Sequence, residues 1–257
     1  MSGYAAHILR KAGVSEPAAR GFAPRLTLKH HEAQDLIWAK GGEVLAWQFV
    51  ISGLVAAAVP TQDARSVPVN VYGPGAWFGE QPILNRMPPH LEYVCLAPTQ
   101  VLSMPAAVLW ELFETEPGFA RYIAKVASWR AQKKAEMLVL MKLGNPCLRV
   151  VMGIAQFAEA MASGPDRSVT EGLDGGIAIP VTQAVMAAMC GVSRAVFSEC
   201  VQPLAAGGWL VISYGQIELL SIATWHRFYK LRRAQPTTHT NPTMEELLAE
   251  LHRASVV

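Results

Sequence analysis

The chain has 257 residues, enough for two modest domains that each bury a core. Its 51% hydrophobic and 16% charged residues exclude a disordered chain, and a net charge of +2 does not by itself announce a nucleic-acid partner. No run of about 18 residues escapes interruption by charges, Gly or Pro, which argues against a membrane span, and the opening MSGYAAHILRKAG lacks the apolar core of a secretory signal, so a cytoplasmic protein is expected.

Residues 1–25 read as an amino-terminal helical segment, with Ser15 as a cap before Glu16-Pro17. From Leu26 to Met104 the texture changes to short apolar runs, among them Val44 to Ile51, Leu54 to Val59, Val67 to Tyr72 and Gln100 to Met104, punctuated by Gly and Pro. Many short strands at about ten-residue spacing imply an all-β barrel or roll. Ala106 to Leu143 is the longest helical stretch, broken at Glu116-Pro117. Phe119, Tyr122, Ile123, Val126, Trp129, Met137, Leu140 and Met141 recur along it at three and four, a stripe that needs an apolar partner. Arg130, Lys133 and Lys134 interrupt that stripe. Gly144-Asn145-Pro146 ends the helix and reads as a hinge.

A second domain opens with an amphipathic helix over Leu148 to Met161, followed by a polar loop over 162–176. Thr182 to Met189 and Arg194 to Val201 are two short helical patterns separated by Cys190-Gly191-Val192-Ser193. A helix, a tight glycine turn and a second helix is helix-turn-helix spacing. Thr182 and Ser193 can each accept a backbone N–H left unpaired at a helix start. Pro203 is expected to break the second helix early. Gly207 to Leu219 then carries two short apolar runs around a glycine turn, the pattern of a hairpin wing. Thr224 to Ala234 is a basic aromatic helix, Pro236 to Pro242 a linker, and Thr243-Met244-Glu245-Glu246 opens a last helix. From Ile177 to Ala234 there are five Arg and Lys against two Glu, a modest excess of positive charge.

Val181 to Leu204, in the register T-x8-G-x-S-R, resembles the DNA-binding domain of the Crp/Fnr (cyclic-AMP receptor protein and fumarate-nitrate regulator) family, and Phe78-Gly79-Glu80 resembles the FGE of its cyclic-nucleotide pocket. The resemblance implies an α+β fold: an amino-terminal double-stranded β-roll over 1–114 of the jelly-roll, cyclic-nucleotide-binding type, a dimerisation helix and hinge over 115–145, a winged helix-turn-helix over 146–235, and a linker and short helix over 236–257. It further implies a homodimer through the 115–143 helix, an inverted-repeat operator in double-stranded DNA, and RNA polymerase as a partner in a bacterial cytoplasm.

Carried over residue by residue, the DNA-contacting set is Thr182, Gln183, Ser193, Arg194, Ala195, Ser198, Glu199 and Gln216. Arg194 can donate two hydrogen bonds to a guanine edge, Ala195 offers only a methyl, and Glu199 can accept from cytosine or repel phosphate. The effector pocket would be lined by Phe78, Gly79, Glu80, His90, Leu91 and Lys134. Here the chain departs from the family's cyclic-nucleotide binders, which place an Arg-Ser or Arg-Thr pair ten residues after the glutamate. His90-Leu91 stands there, an imidazole and a leucine where a phosphate needs a guanidinium and a hydroxyl. Lys134 and Ala135 replace the Thr-Ser pair that touches the nucleotide. An effector other than cyclic AMP, or none, is therefore expected.

Cys95, Cys147, Cys190 and Cys200 show neither a CxxC pair nor a short Cys–His spacing, which argues against a zinc site and a disulfide framework. Buried reduced thiols are expected, with redox sensing through Cys95 or Cys190 as a variant that needs no new fold. The residues that hold haem or an iron–sulfur cluster in other family members are missing, so neither is expected and no metal ligand is assigned. No phosphate loop, nucleophile elbow or metal cluster is visible, so no catalytic residue is assigned and an enzyme is not expected. The competing reading is a ligand-sensing or protein-interaction module whose winged helix no longer binds DNA specifically, in line with Ala195, Glu199 and Gln216.

Overall fold

The structure, a computed structural model, describes residues 2–60, 66–162, 176–234 and 241–256. Most of the loop over 162–176 and of the linker over 236–242 lies outside them. The described residues divide into two compact units, 2–60 with 72–135, and 66–71 with those from 136 onward.

The first unit opens with α1 (Ser2–Lys11), α2 (Glu16–Phe22) and a single 3-10 turn. Ser15 has the extended backbone of an N-cap, but its hydroxyl does not cap α2. Ser15 Oγ and N–H instead donate to the two oxygens of Glu116, each at 2.9 Å, a longer-range partner that outcompetes the local one. Strands β1 (Thr27–His31), β2 (Leu36–Trp38), β3 (Ala46–Ser52) and β4 (Val55–Pro60) follow, then β5 (Ser66–Tyr72), which but for Tyr72 falls in the second unit, β6 (Trp77–Phe78), the short helix α3 (Glu80–Asn85), β7 (Glu92–Cys95) and β8 (Thr99–Pro105). One antiparallel sheet has the order β1-β8-β3-β6, and in the other β7 lies between β2 and β4. This is the β-roll that the short punctuated strands predict.

Five consecutive residues of β3, Ala46 to Val50, are buried because both faces of its sheet are covered. Alternate side chains serve different cores, as the two-residue period of a strand requires. Trp47, Phe49, Leu102 and Met104 join Ile8 and Leu9 of α1 on the outer face. Val50, Val101 and Phe78 meet Val55, Tyr93 and Cys95 between the sheets. Trp47 stacks on Trp77 with centroids 4.1 Å apart and meets the edge of Phe119 at 5.8 Å. Truncating a buried aromatic of this kind costs about 3–5 kcal/mol.

Two helices complete the passage out of the roll, α4 (Ala106–Thr115) and the 27-residue α5 (Pro117–Leu143). The stripe read along α5 needs correction. Phe119 and Ile123 are buried in the roll's own outer core, with Tyr122 packed beside them, so the first turns of the stripe are already satisfied within the chain. The large apolar residues that α5 exposes are Trp129, Leu138, Val139 and Leu143.

In the second unit, α6 (Pro146–Ala162) is capped by Asn145, whose Oδ1 accepts from the Leu148 N–H at 2.9 Å. Next come β9 (Ile177–Ile179), α7 (Gln183–Met189), α8 (Arg194–Ala206), β10 (Leu210–Ser213), β11 (Gln216–Leu219), α9 (Ile222–Ala234) and α10 (Met244–Ser255). The sheet order β10-β11-β9 closes the hairpin through the two-residue turn Tyr214-Gly215. Contrary to the sequence expectation, α8 runs past Pro203 to Ala206. The proline forfeits only its bond to the Glu199 carbonyl, at an exposed residue, while buried Val201 and Leu204 pin the helix on either side. A capping box starts α10, Thr243 Oγ1 accepting from the Glu246 N–H at 3.2 Å and Glu246 returning a bond to the Thr243 N–H at 2.8 Å.

Candidate functional site

Both predicted helix caps form. The Val185 N–H donates to Thr182 Oγ1 and the Val196 N–H to Ser193 Oγ, each at 3.2 Å. Between them Gly191 takes φ +62°, and the axes of α7 and α8 turn through 103°. That lies in the range of about 90–120° of a helix-turn-helix. Phe197, Cys200, Val201 and Leu204 bury the inner face of α8. Ser193, Arg194, Ala195 and Glu199 are exposed at the front of its outer face and Ser198 is half-buried. Gln202, which the sequence reading passed over, is exposed on the same face, at i+7 from Ala195, and the helical period would have found it. Thr182 is exposed and Gln183 half-buried at the start of α7, and Gln216 is exposed beside the fully exposed Tyr214 at the wing tip.

The basic helix α9 does not supply a free cationic face. Arg232 pairs with Glu250 at 2.9 Å, and Arg233 makes a two-pronged bond to Glu136 with both contacts at 2.6 Å. Arg227 Nε donates to the Ala254 carbonyl at 2.7 Å, and His226 faces Glu159 at 2.5 Å. Lys230 is left exposed on α9, while Arg227 and Arg232 tie α9 to α10 and Arg233 ties it to Glu136 of the α5 helix.

In the first unit the six predicted pocket residues separate. His90, Leu91 and Lys134 meet on a surface groove of ≈ 190 Å³ that Tyr93, Met87 and Pro88 also line. This is below the ~300 Å³ at which drug-sized ligand sites begin. Phe78, Gly79 and Glu80 do not open onto it. Glu80 is 3% exposed, and both of its oxygens already have donors: Arg130 Nη1 to Oε1, and Trp47 Nε1 to Oε2 at 3.2 Å. Arg130 also donates through Nη2 to the Trp77 carbonyl and lies over the Tyr72 ring, 5.4 Å from its centroid. Burial works to lower the Arg130 guanidinium, but the Glu80 carboxylate, with Tyr72 behind it, more than offsets that and leaves it raised. Burial likewise pushes the Tyr93 phenol up, with Tyr72 and Glu80 beside it.

Gly79 has φ +93°, and a β-carbon there would collide with the Trp38 indole. Trp38 in turn packs edge-on against Phe78 and Tyr93, with centroids 5.3 and 5.0 Å away. The FGE turn is therefore roofed by an aromatic cluster and closed by an arginine from α5. In the sequence Arg130 interrupts the apolar stripe, yet it follows buried Ile123 by seven residues and so shares its inward face. That spacing was the available signal.

Residues 28–116 match the cyclic nucleotide-binding domain family. No curated protein matches the chain by sequence. Solved structures do. FixK2 from Bradyrhizobium japonicum superposes with a TM-score of 0.63 at 18% identity, over 78% of this chain and 96% of that one. A CRP/FNR-family transcriptional regulator from Thermus thermophilus superposes with a TM-score of 0.57 at 18% identity, over 79% and 98%. The c-di-GMP responsive global regulator CLP from Xanthomonas campestris gives 0.56 at 17% identity, over 77% and 95%. The chain has the Crp/Fnr fold. The match to the cyclic nucleotide-binding domain family falls on the β-roll, and the helices that follow, ending in a winged helix-turn-helix, are similar to these neighbours in fold. Among the described residues of this Crp/Fnr-fold chain, no group of three or more His, Cys, Asp or Glu is placed to hold a metal ion, and no single helix is long and apolar enough to cross a membrane.

Proposed function

We propose that the chain is a homodimeric DNA-binding transcription regulator of Crp/Fnr type that reads an inverted repeat, with a β-roll that answers to something other than a cyclic nucleotide. The observation that carries this reading is the capped, 103° helix pair whose second helix presents Ser193, Arg194, Ala195 and Glu199 outward. A helix amino end of this kind fits the major groove, where Arg194 can pair with guanine O6 and N7. The exposed Trp129, Leu138 and Leu143 of α5 support pairing with a second copy.

Against a cyclic nucleotide stand the buried Arg130–Glu80 pair, the Trp38 roof over Gly79, and His90 where the phosphate would need a guanidinium. Freeing Glu80 for a ribose hydroxyl would leave Arg130 without its partner. A structural neighbour described as c-di-GMP responsive is a precedent only for an effector other than cyclic AMP on this fold, since that ligand is still a cyclic nucleotide. The groove of His90 and Lys134 suits a small anion better than a nucleotide.

The test is selection of bound sequences from random duplex DNA by the purified full chain, with and without cell extract. Enrichment of an inverted repeat is expected, and Arg194→Ala should cost about 1–3 kcal/mol at one base pair of each half-site. Absence of enrichment under both conditions would leave the reading without support.

A further inference from the structure

Cys147 is the second residue of α6 and Cys200 lies in the middle of α8. Fifty-three residues apart in sequence, their sulfurs come within 3.7 Å, Cys200 Sγ donating to Cys147 Sγ. All four cysteines of the chain are free. Cys95 and Cys190, the two that sequence alone singled out for redox chemistry, are sealed at 0% exposure. Cys147 is half-buried and reachable from solvent, whereas Cys200 behind it is 5% exposed.

We propose that Cys147 and Cys200 are a modification site: a peroxide oxidises them to a reversible intramolecular disulfide that staples the start of α6 to the recognition helix. The Cys147 sulfur, as thiolate, attacks one oxygen of hydrogen peroxide. The O–O bond breaks, the departing oxygen takes up a proton and leaves as water, and Cys147 becomes a sulfenic acid. The Cys200 sulfur then attacks the Cys147 sulfur. Its own proton leaves with the sulfenic hydroxyl as a second water, and the S–S bond forms. Two thiols lose two electrons in all, and one peroxide is reduced to two waters.

The order of attack follows from the geometry. Cys147 meets solvent and already accepts the hydrogen bond, while burial and the neighbouring Cys147 thiol push Cys200 up to about 12, which suits a resolving thiol that gives up its proton only during the second step. An S–S bond of about 2.05 Å requires the two sulfurs to close by roughly 1.6 Å from where they stand. Both helices are held by buried residues, Leu148, Val150 and Val151 on α6 and Val201 and Leu204 on α8, so the closure falls mainly on rotation of the two cysteine side chains.

The disulfide stands apart from the DNA-binding reading, and only its effect on DNA affinity depends on it. The experiment treats the full-length native protein with hydrogen peroxide, counts remaining thiols in denaturant, and identifies linked peptides by mass spectrometry. Loss of two of the four thiols, a Cys147–Cys200 linked peptide and full recovery with dithiothreitol are expected. Cys147→Ser and Cys200→Ala should each abolish the linkage; the first also slows thiol loss at least about tenfold because it removes the attacking sulfur, whereas the second still lets Cys147 oxidise and leaves it at the sulfenic or a higher level. Retention of both thiols under peroxide, overoxidation of Cys147 with Cys200 still free, or linkage only between separate chains would overturn the proposal. A failed DNA selection leaves these thiol counts unchanged, so the two readings fail separately.

Discussion

Arg130 shows how one side chain closes a turn that the sequence leaves open. Its charge is 12% exposed and that of Glu80 4%, so neither is rescued by solvent if the other is removed. Arg130→Met should therefore destabilise the first unit by about 3–5 kcal/mol, and adding Glu80→Gln should recover a substantial part because it removes the orphaned charge. Urea denaturation of the wild type, both single variants and the double variant checks this. Additive losses would show that the two groups do not act as a pair. The same residue supports the proposed absence of a cyclic nucleotide, because a ribose would have to compete for Glu80 with the guanidinium and the Trp47 indole N–H.

Among the elements, the helix-turn-helix owes its shape to a few local devices. Thr182 and Ser193 hold two helix starts, and each alanine replacement should cost about 1 kcal/mol. Gly191 sits at φ +62°, and an added β-carbon would lie 3.1 Å from Met141 Sδ. Gly191→Ala should lower the stability of the second unit by about 1–2 kcal/mol from backbone strain alone. Thermal unfolding with the α10 cap variant Thr243→Ala as a reference separates this from a general loss of helix, since Thr243 closes a capping box of its own. If Gly191→Ala leaves the melting temperature unchanged, the left-handed turn is not the constraint described. The α5 stripe makes a related point: its first turns are consumed by the roll, and only the later residues, Trp129 onward, are left to face a partner.

For the whole molecule, the proposed function implies a dimer of modest charge. Leu143→Glu, at a residue 56% exposed on α5, should convert dimer to monomer in sedimentation without lowering the stability of the chain's own cores. A wild type that sediments as a monomer at all concentrations would remove α5 as the interface. With Arg227, Arg232 and Arg233 engaged inside the second unit, few cations per copy remain to displace counterions. The log–log salt dependence of DNA binding should then have a slope no steeper than about −5, and a slope near −10 would show that phosphate contacts come from residues not recognised here.

Much of this protein was legible from its sequence where the determinants are local. The caps at Thr182 and Ser193, the glycine between them, the break at Glu116 and the two-residue wing turn are each fixed by the chemistry of three or four neighbouring residues, and so are the short strands of the roll, whose Gly and Pro punctuation is visible in any window. What the tertiary structure alone decided is who meets whom over long separations. Ser15 binds Glu116 rather than its own helix, Arg130 reaches Glu80 across fifty residues, the arginines of α9 find Glu136 and Glu250, and Cys147 meets Cys200. None of these partners is implied by spacing along the chain, because burial selects a partner by position in space and a buried charge or thiol takes the one that packing brings to it.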